Sequence, residues 1–327
     1  DKKSLPAMLP FCAAMAGAGF AFVGWVPAYI LLMCTVVIIG MASATYHPQA
    51  SKTVNFLSSD NNKAANMGIF SLGGNAGMAV GSILMAFLLT LPGGLHNTMY
   101  FVLPGLLVFG LMMKYMPEYK RVNLEHNLKV QAAKKSGAVQ KIPYGSLALV
   151  LFFIFMRSTI HTGLFTYLPL FFINFRNAEP AFASMLVSCF LLGGVAGTYV
   201  GAVLSDRLGA RRIILGSVLC SIPAIWLIAN VTHPAAVLAA VVLAGFSIIG
   251  SFATTTILAQ TMLPNNVGMA AGLTIGFSVG MGGFGVTILG FLADNYGLPF
   301  VMNLMTVLPV IATLTAFKIP VPPQMQK

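Results

Sequence analysis

Leu147 to Phe155 is an unbroken run of nine aliphatic and aromatic residues, the densest part of a longer apolar block. Ten such blocks recur along the chain, at roughly 6–25, 28–46, 66–91, 98–115, 145–173, 181–204, 211–230, 235–258, 267–292 and 298–318. A hydrocarbon core about 30 Å thick takes about 20 apolar residues at about 1.5 Å rise each. Backbone groups in lipid must pair within their own segment, so each block is predicted to be a helix. Only 8% of the 327 residues are charged and 57% are hydrophobic. Soluble domains carry roughly 25% charged residues, and too few remain here to cover a water-soluble surface. The expectation is an all-α, polytopic membrane protein with lipid as its solvent.

Most connections are short and punctuated by Pro or Gly, as at Trp25-Val26-Pro27, Leu91-Pro92-Gly93-Gly94 and Thr232-His233-Pro234. One is long: residues 117–143 hold Lys120, Arg121, Glu125, Lys129, Lys134, Lys135 and Lys141, and read as a solvated cytoplasmic linker. The net charge of +11 forms no patch of the kind nucleic acid requires. Sixteen of the eighteen basic residues fall in alternate connections, from Lys2 and Lys3 through Lys52 and Lys63, the linker and Arg207 to Lys318 and Lys327. The positive-inside rule puts that side, C-terminus included, in the cytoplasm of a cell inner membrane. Arg157, inside a span, and Arg176, in an opposite-side loop, are the exceptions. Cys12, Cys34, Cys189 and Cys220 lie within apolar blocks without metal-ligand spacing and read as buried free thiols. No metal or cofactor is expected.

The two sides of the linker are alike. Asn61-Asn62, Gly68 and Gly81 recur as Asn265-Asn266, Gly272 and Gly285, each 204 residues on, and Asp1-Lys2 recurs as Asp206-Arg207 after 205. Parallel repeats of this kind mark duplicated transporters with their site between the halves. Two spans precede Asp206 in the second half and none precedes Asp1. By that symmetry ten of twelve helices are present, and about 60 residues with two helices are expected upstream. The implied divisions are an N-terminal bundle (1–116), the linker (117–143), a six-helix C-terminal bundle (144–319) and a cytoplasmic tail (320–327).

Arg157 sits about 20 Å along its span, near the middle of the bilayer. A charge at that depth is costly and marks a functional site by default. His161 shares its face at i+4, with Tyr167 further along. Arg157 is expected to bind an anionic group and His161 to tune or carry a proton. The competing reading is a structural arginine bonded to carbonyls of a neighbouring helix. Asn75, polar within the third span, is a further candidate for substrate contact. Glycines at spacings of four, including Gly73, Gly77, Gly276 and Gly280 beside Gly74, line helix faces suited to close approach or sliding. His47, just before Pro48, reads as a cap or gate at a helix end. All seven acidic residues lie at span ends or in loops, so only histidines qualify as intramembrane proton carriers in these spans.

Asp206-Arg207-Leu208-Gly209-Ala210-Arg211-Arg212 resembles the signature loop of the major facilitator superfamily. A carboxylate there suits a cap on the next helix, with the arginines held in the cytoplasm; the plainer reading is a positive-inside turn. Ala42-Ser43-Ala44-Thr45-Tyr46-His47-Pro48, Phe70-Ser71-Leu72-Gly73-Gly74-Asn75 and Gly290-Phe291-Leu292-Ala293-Asp294 are similar to the fosmidomycin-resistance family of exporters within it. That resemblance implies a twelve-helix exporter of a small, fosmidomycin-like compound, driven by proton entry; a monomer is expected. Uptake of an organic anion or sugar, or a non-transporting remnant, are the alternatives. No HExxH, paired intramembrane carboxylates or Ser/His/Asp arrangement supports an enzyme.

Overall fold

The computed structural model describes residues 7–135 and 144–326, so Asp1-Lys2-Lys3, Lys141 and Lys327 lie outside it. Among the described residues every regular element is helical. The helices are α1 (Met8–Val23), α2 (Tyr29–Leu57), α3 (Lys63–Thr90), α4 (Val102–Lys114), α5 (Met116–Lys135), α6 (Tyr144–Asn174) and α7 (Pro180–Leu208). They continue as α8 (Ala210–Asn230), α9 (Pro234–Gly250), α10 (Phe252–Met262), α11 (Val267–Ala271), α12 (Phe277–Tyr296) and α13 (Leu298–Lys318). Among the described residues eight segments are long and apolar enough to cross a membrane, besides the shorter apolar α1. Large apolar side chains cover the outside, Ile30 at 75% and Val279 at 76% exposure among them. In water that surface would aggregate; in lipid it is the solvated face.

Each of the ten predicted apolar blocks is helical among the described residues, with three differences. α2 runs on to Leu57 through Pro48, whereas its block was predicted to end near 46. Its 29 residues reach about 43 Å, more than the bilayer core needs. Pro is tolerated within such helices because neighbouring groups and local adjustment satisfy the freed backbone groups. The segment after Pro117, expected as linker, carries helix α5 as far as Lys135. It packs on α2, where His126 stacks on Phe56 with ring centroids 3.9 Å apart. The ninth span is a helix with one π turn, Gly272–Gly276, between α11 and α12. The cysteines are free, but only Cys12 is buried: Cys189 is half-buried and Cys34 and Cys220 are exposed, because their helix faces point outwards.

Two compact units emerge. The first holds Asp1–Ser58, Gly73–Gln140 and Asn265–Gly272; the second holds Ser59–Leu72, Lys141–Pro264 and Leu273–Lys327. In the first, α1 meets α4 at backbone distance: a Cβ on Gly17 would stand 2.7 Å from Gly105 Cα. Its turns are tied by Gly24 N donating to Thr98 Oγ1 (3.1 Å) and Trp25 Nε1 donating to the His96 carbonyl (3.0 Å). In the second, Ile160, Leu164, Leu168, Phe190, Ile225, Val241 and Met302 form a core at 2% exposure or less. Its tightest seam joins α7 to α9. A Cβ on Gly193, Gly197 or Gly201 would meet the carbonyl oxygens of Val242, Phe246 and Gly250 at 2.3, 2.0 and 2.1 Å. Small residues at i, i+4 and i+8 bring the two backbones into contact, which in lipid replaces the hydrophobic drive between helices.

Candidate substrate site and helix-end clasp

α6 positions the site. One of its faces, Thr159, Thr162 and Gly163, packs into α12 and α13: Thr159 fills the notch left by Gly285, Thr162 that left by Gly282, and Gly163 meets Leu289 and Met305. Ser158 adds a hydroxyl bond to Ser278. This locks the rotation of α6 and turns Arg157 towards α10. Arg157 is 4% exposed. Its Nη1 donates to Thr255 Oγ1 at 3.1 Å, and its guanidinium carbon lies 5.0 Å from the Phe252 ring centroid. No carboxylate pairs with it among the described residues. His161, one turn on, stacks on Phe190 with centroids 5.6 Å apart at 29°.

The four predicted substrate residues are not all equivalent. Arg157 and His161 share a face of α6 in the second unit. Tyr167 is in that unit too, but its hydroxyl donates to the Val286 carbonyl at 2.9 Å and so ties α6 to α12. Asn75 is half-buried on α3 in the first unit. Sequence reading missed Phe252 and Thr255, which stand three apart on α10 and so share a face; the polar run Thr254-Thr255-Thr256 inside an apolar span was the available signal.

The loop that resembles the superfamily signature is built differently from expectation. Asp206 does not cap the next helix: its Oδ1 and Oδ2 accept from the backbone N–H groups of Ala64 (3.2 Å) and Ala65 (2.7 Å), in the first turn of α3. A carboxylate there satisfies two otherwise orphaned donors and faces the positive end of the helix. α8 is instead entered through Gly209, whose φ of 91° favours glycine and turns the chain sharply after α7. Arg211 Nη2 donates to the Phe317 carbonyl at 2.7 Å, in the last turn of α13, where a cation is favoured. Arg212 Nη1 reaches the Leu208 carbonyl at 3.4 Å, and Arg207 is exposed. Beside the clasp, Lys63 and Asp60 pair at 2.7 Å, and the bond from Lys63 holds the Asp60 carboxyl below the usual range. His47 is not at a helix end but ten residues before it, edge-on to Tyr46 at 5.8 Å. Around Gly73, Gly74, Gly77, Gly276 and Gly280 no described atom lies within 4 Å of an added Cβ.

Asp206→Ala is expected to destabilise the folded protein by about 1–2 kcal/mol, the usual worth of a helix cap. Thermal unfolding in detergent should show a fall in Tm of a few degrees. An unchanged Tm would mean that water replaces the carboxylate at no cost.

Comparison with known proteins agrees with this architecture. A family model described as Major Facilitator Superfamily matches residues 2–273 and 175–327. The uncharacterized MFS-type transporter YfnC of Bacillus subtilis (strain 168) is 29% identical over 324 residues, 98% of this chain and 78% of that protein. The fosmidomycin resistance protein of Escherichia coli (strain K12) is 26% identical over 322 residues, 97% and 77% of the two chains. The E. coli fucose:proton symporter superposes with a TM-score of 0.74 at 13% identity, covering 98% of this chain and 85% of its own. The human organic anion transporter MFSD10 does so with 0.76 at 14%, covering 95% and 76%. At such identities the superpositions speak for the fold.

Proposed function

This chain belongs to the major facilitator superfamily, and from that premise we propose that it exports a small anionic compound by alternating access, in exchange for protons. The observation that carries the anionic substrate is Arg157: a cation deep in a span, held by a hydroxyl and a ring, with no counter-ion among the described residues. A structural arginine would spend its donors on carbonyls of the neighbouring helix; this one has a single bonded nitrogen. His161, a turn away, is the proton-handling candidate. Asp206, Gly209, Arg211 and Arg212 form a clasp whose making and breaking would accompany the cycle. The direction of transport is supported by the likeness to a protein named for fosmidomycin resistance. The protein would lie in the inner membrane with its C-terminus in the cytoplasm, working as a monomer.

The test is transport in everted membrane vesicles holding an inward-acid proton gradient. Addition of fosmidomycin should partly dissipate the gradient, and expression should lower drug accumulation in cells. Drug-independent gradients with unaltered accumulation would remove fosmidomycin as substrate. Accumulation raised by expression would favour the uptake carrier.

A further inference from the structure

The guanidinium of Arg157 is gripped on one side only. Nη1 is used by Thr255, and one face of the group lies against Phe252. Among the described residues Nε and Nη2 make no hydrogen bond, yet neither is among the buried polar atoms sealed away without a partner, as Arg176 Nε is. Each therefore keeps some accessible surface, although Arg157 as a whole is only 4% exposed. From α6 to α10 the described acids are Glu179 and Asp206, which stand at opposite ends of α7. Nothing in that stretch neutralises Arg157.

Thr255 is fitted to hold this orientation. Its hydroxyl hydrogen is directed to the backbone, with the Ser251 and Phe252 carbonyls both at 2.9 Å. Its oxygen is left as an acceptor facing Arg157. The interruption between α9 and α10 at Ser251 (φ −90°, ψ 1°) sets Phe252 and Thr255 in the first turn of α10, against α6. A ring below and an acceptor at one end fix a planar group in both tilt and rotation.

Resting on the reading of Arg157 as the anion-binding group, we propose that Thr255 and Phe252 are positioning residues that present its Nε–Nη2 edge to a compact oxyanion, a carboxylate or phosphonate. That edge carries two parallel N–H donors, the fork that matches two oxygens of one such group. Lysine could supply the charge there but not the fork.

The experiment measures binding of phenylphosphonate and of benzoate to the detergent-purified full-length protein by calorimetry. Wild type is compared with Arg157→Gln, Arg157→Lys, Thr255→Val, Thr255→Ser and Phe252→Leu. Arg157→Gln should abolish binding, and Thr255→Val should weaken it roughly 10-fold, as loss of a hydrogen bond to a charged group does. Thr255→Ser, which keeps the hydroxyl, should bind as wild type does. Phe252→Leu should weaken binding by about 3-fold or more. Introduced into Arg157→Lys, Thr255→Val should have no further effect, because the fork it positions is gone; a merely structural threonine would weaken both backgrounds alike. Loss with Arg157→Gln but wild-type binding by Thr255→Val and Phe252→Leu overturns the positioning proposal and leaves the role of Arg157 standing. Wild-type binding by Arg157→Gln overturns both. Failure of the wild type to bind either probe overturns the oxyanion class, and a preference for one probe identifies the group. Should Thr255→Val not fold, the Phe252→Leu and Thr255→Ser arms decide.

Discussion

Arg157→Gln is expected to abolish transport while leaving the amount of protein in the membrane unchanged. Glutamine keeps an uncharged polar group on that face of α6 but ends two bonds short of Nη1, so it gives up the bond to Thr255, while α6 stays held by its packing on α12 and α13. What disappears is the only full charge in the described interior of the second unit's spans. Removing one partner of a buried charge pair costs about 2–5 kcal/mol, roughly 30-fold to several thousand-fold in affinity. Arg157→Lys keeps the charge and should fall in between. The measurement is drug accumulation in cells, with membrane protein quantified by immunoblot. Wild-type accumulation by an equally abundant Arg157→Gln protein would return Arg157 to a structural role.

Gly197→Leu should prevent folding altogether. A Cβ alone would stand 2.0 Å from the Phe246 carbonyl oxygen, and the obstacle is backbone, which cannot rotate aside as a side chain does. α7 and α9 would have to separate along the seam from Gly193 to Gly201, and with them the wall of the core that includes Phe190 and Val241. Overpacking ordinarily costs about 1–3 kcal/mol where neighbours can adjust; here even Gly197→Ala should exceed that range. Size-exclusion chromatography in mild detergent should show aggregate in place of a single species. Gly276→Ala, placed where nothing lies within 4 Å, is the control that should fold. A monodisperse Gly197→Leu protein would mean that the seam is looser than its geometry.

Sequence periodicity cannot separate these two glycines. Gly197 and Gly276 both belong to small-residue rows in apolar spans, yet only the facing helix decides which row is a seam, and that helix lies far along the chain. The same limit governs Asp206. Its need for a helix N-terminus was readable from the loop, but the choice of α3 over α8 depends on a pairing 141 and 142 residues away. Arg157 was legible because the cost of a buried charge is local and independent of partners. Thr255 and Phe252 were not, since a threonine and a phenylalanine in an apolar span ordinarily only pack. The ten spans were readable because hydrocarbon thickness sets their length, whereas α5 was missed because its polar composition carries no such measure.

The π turn at Gly272–Gly276 has a consequence for the duplicated sequence. Gly68 and Gly81 are thirteen residues apart, as are Gly272 and Gly285. In α3 those thirteen steps wind as an uninterrupted α-helix, whereas the matching stretch spreads five of its residues over the wider π turn. Equal counting therefore yields unequal winding, and the matching glycines end up on different headings. Gly285 receives Thr159 in its notch. Gly68 lies against Ala202, and Gly272 has only the edge of Pro48 near it, at 3.9 Å. Residues that match by count can thus be given different work, and a substitution mapped from one of these positions to its match predicts nothing unless the winding between them is followed.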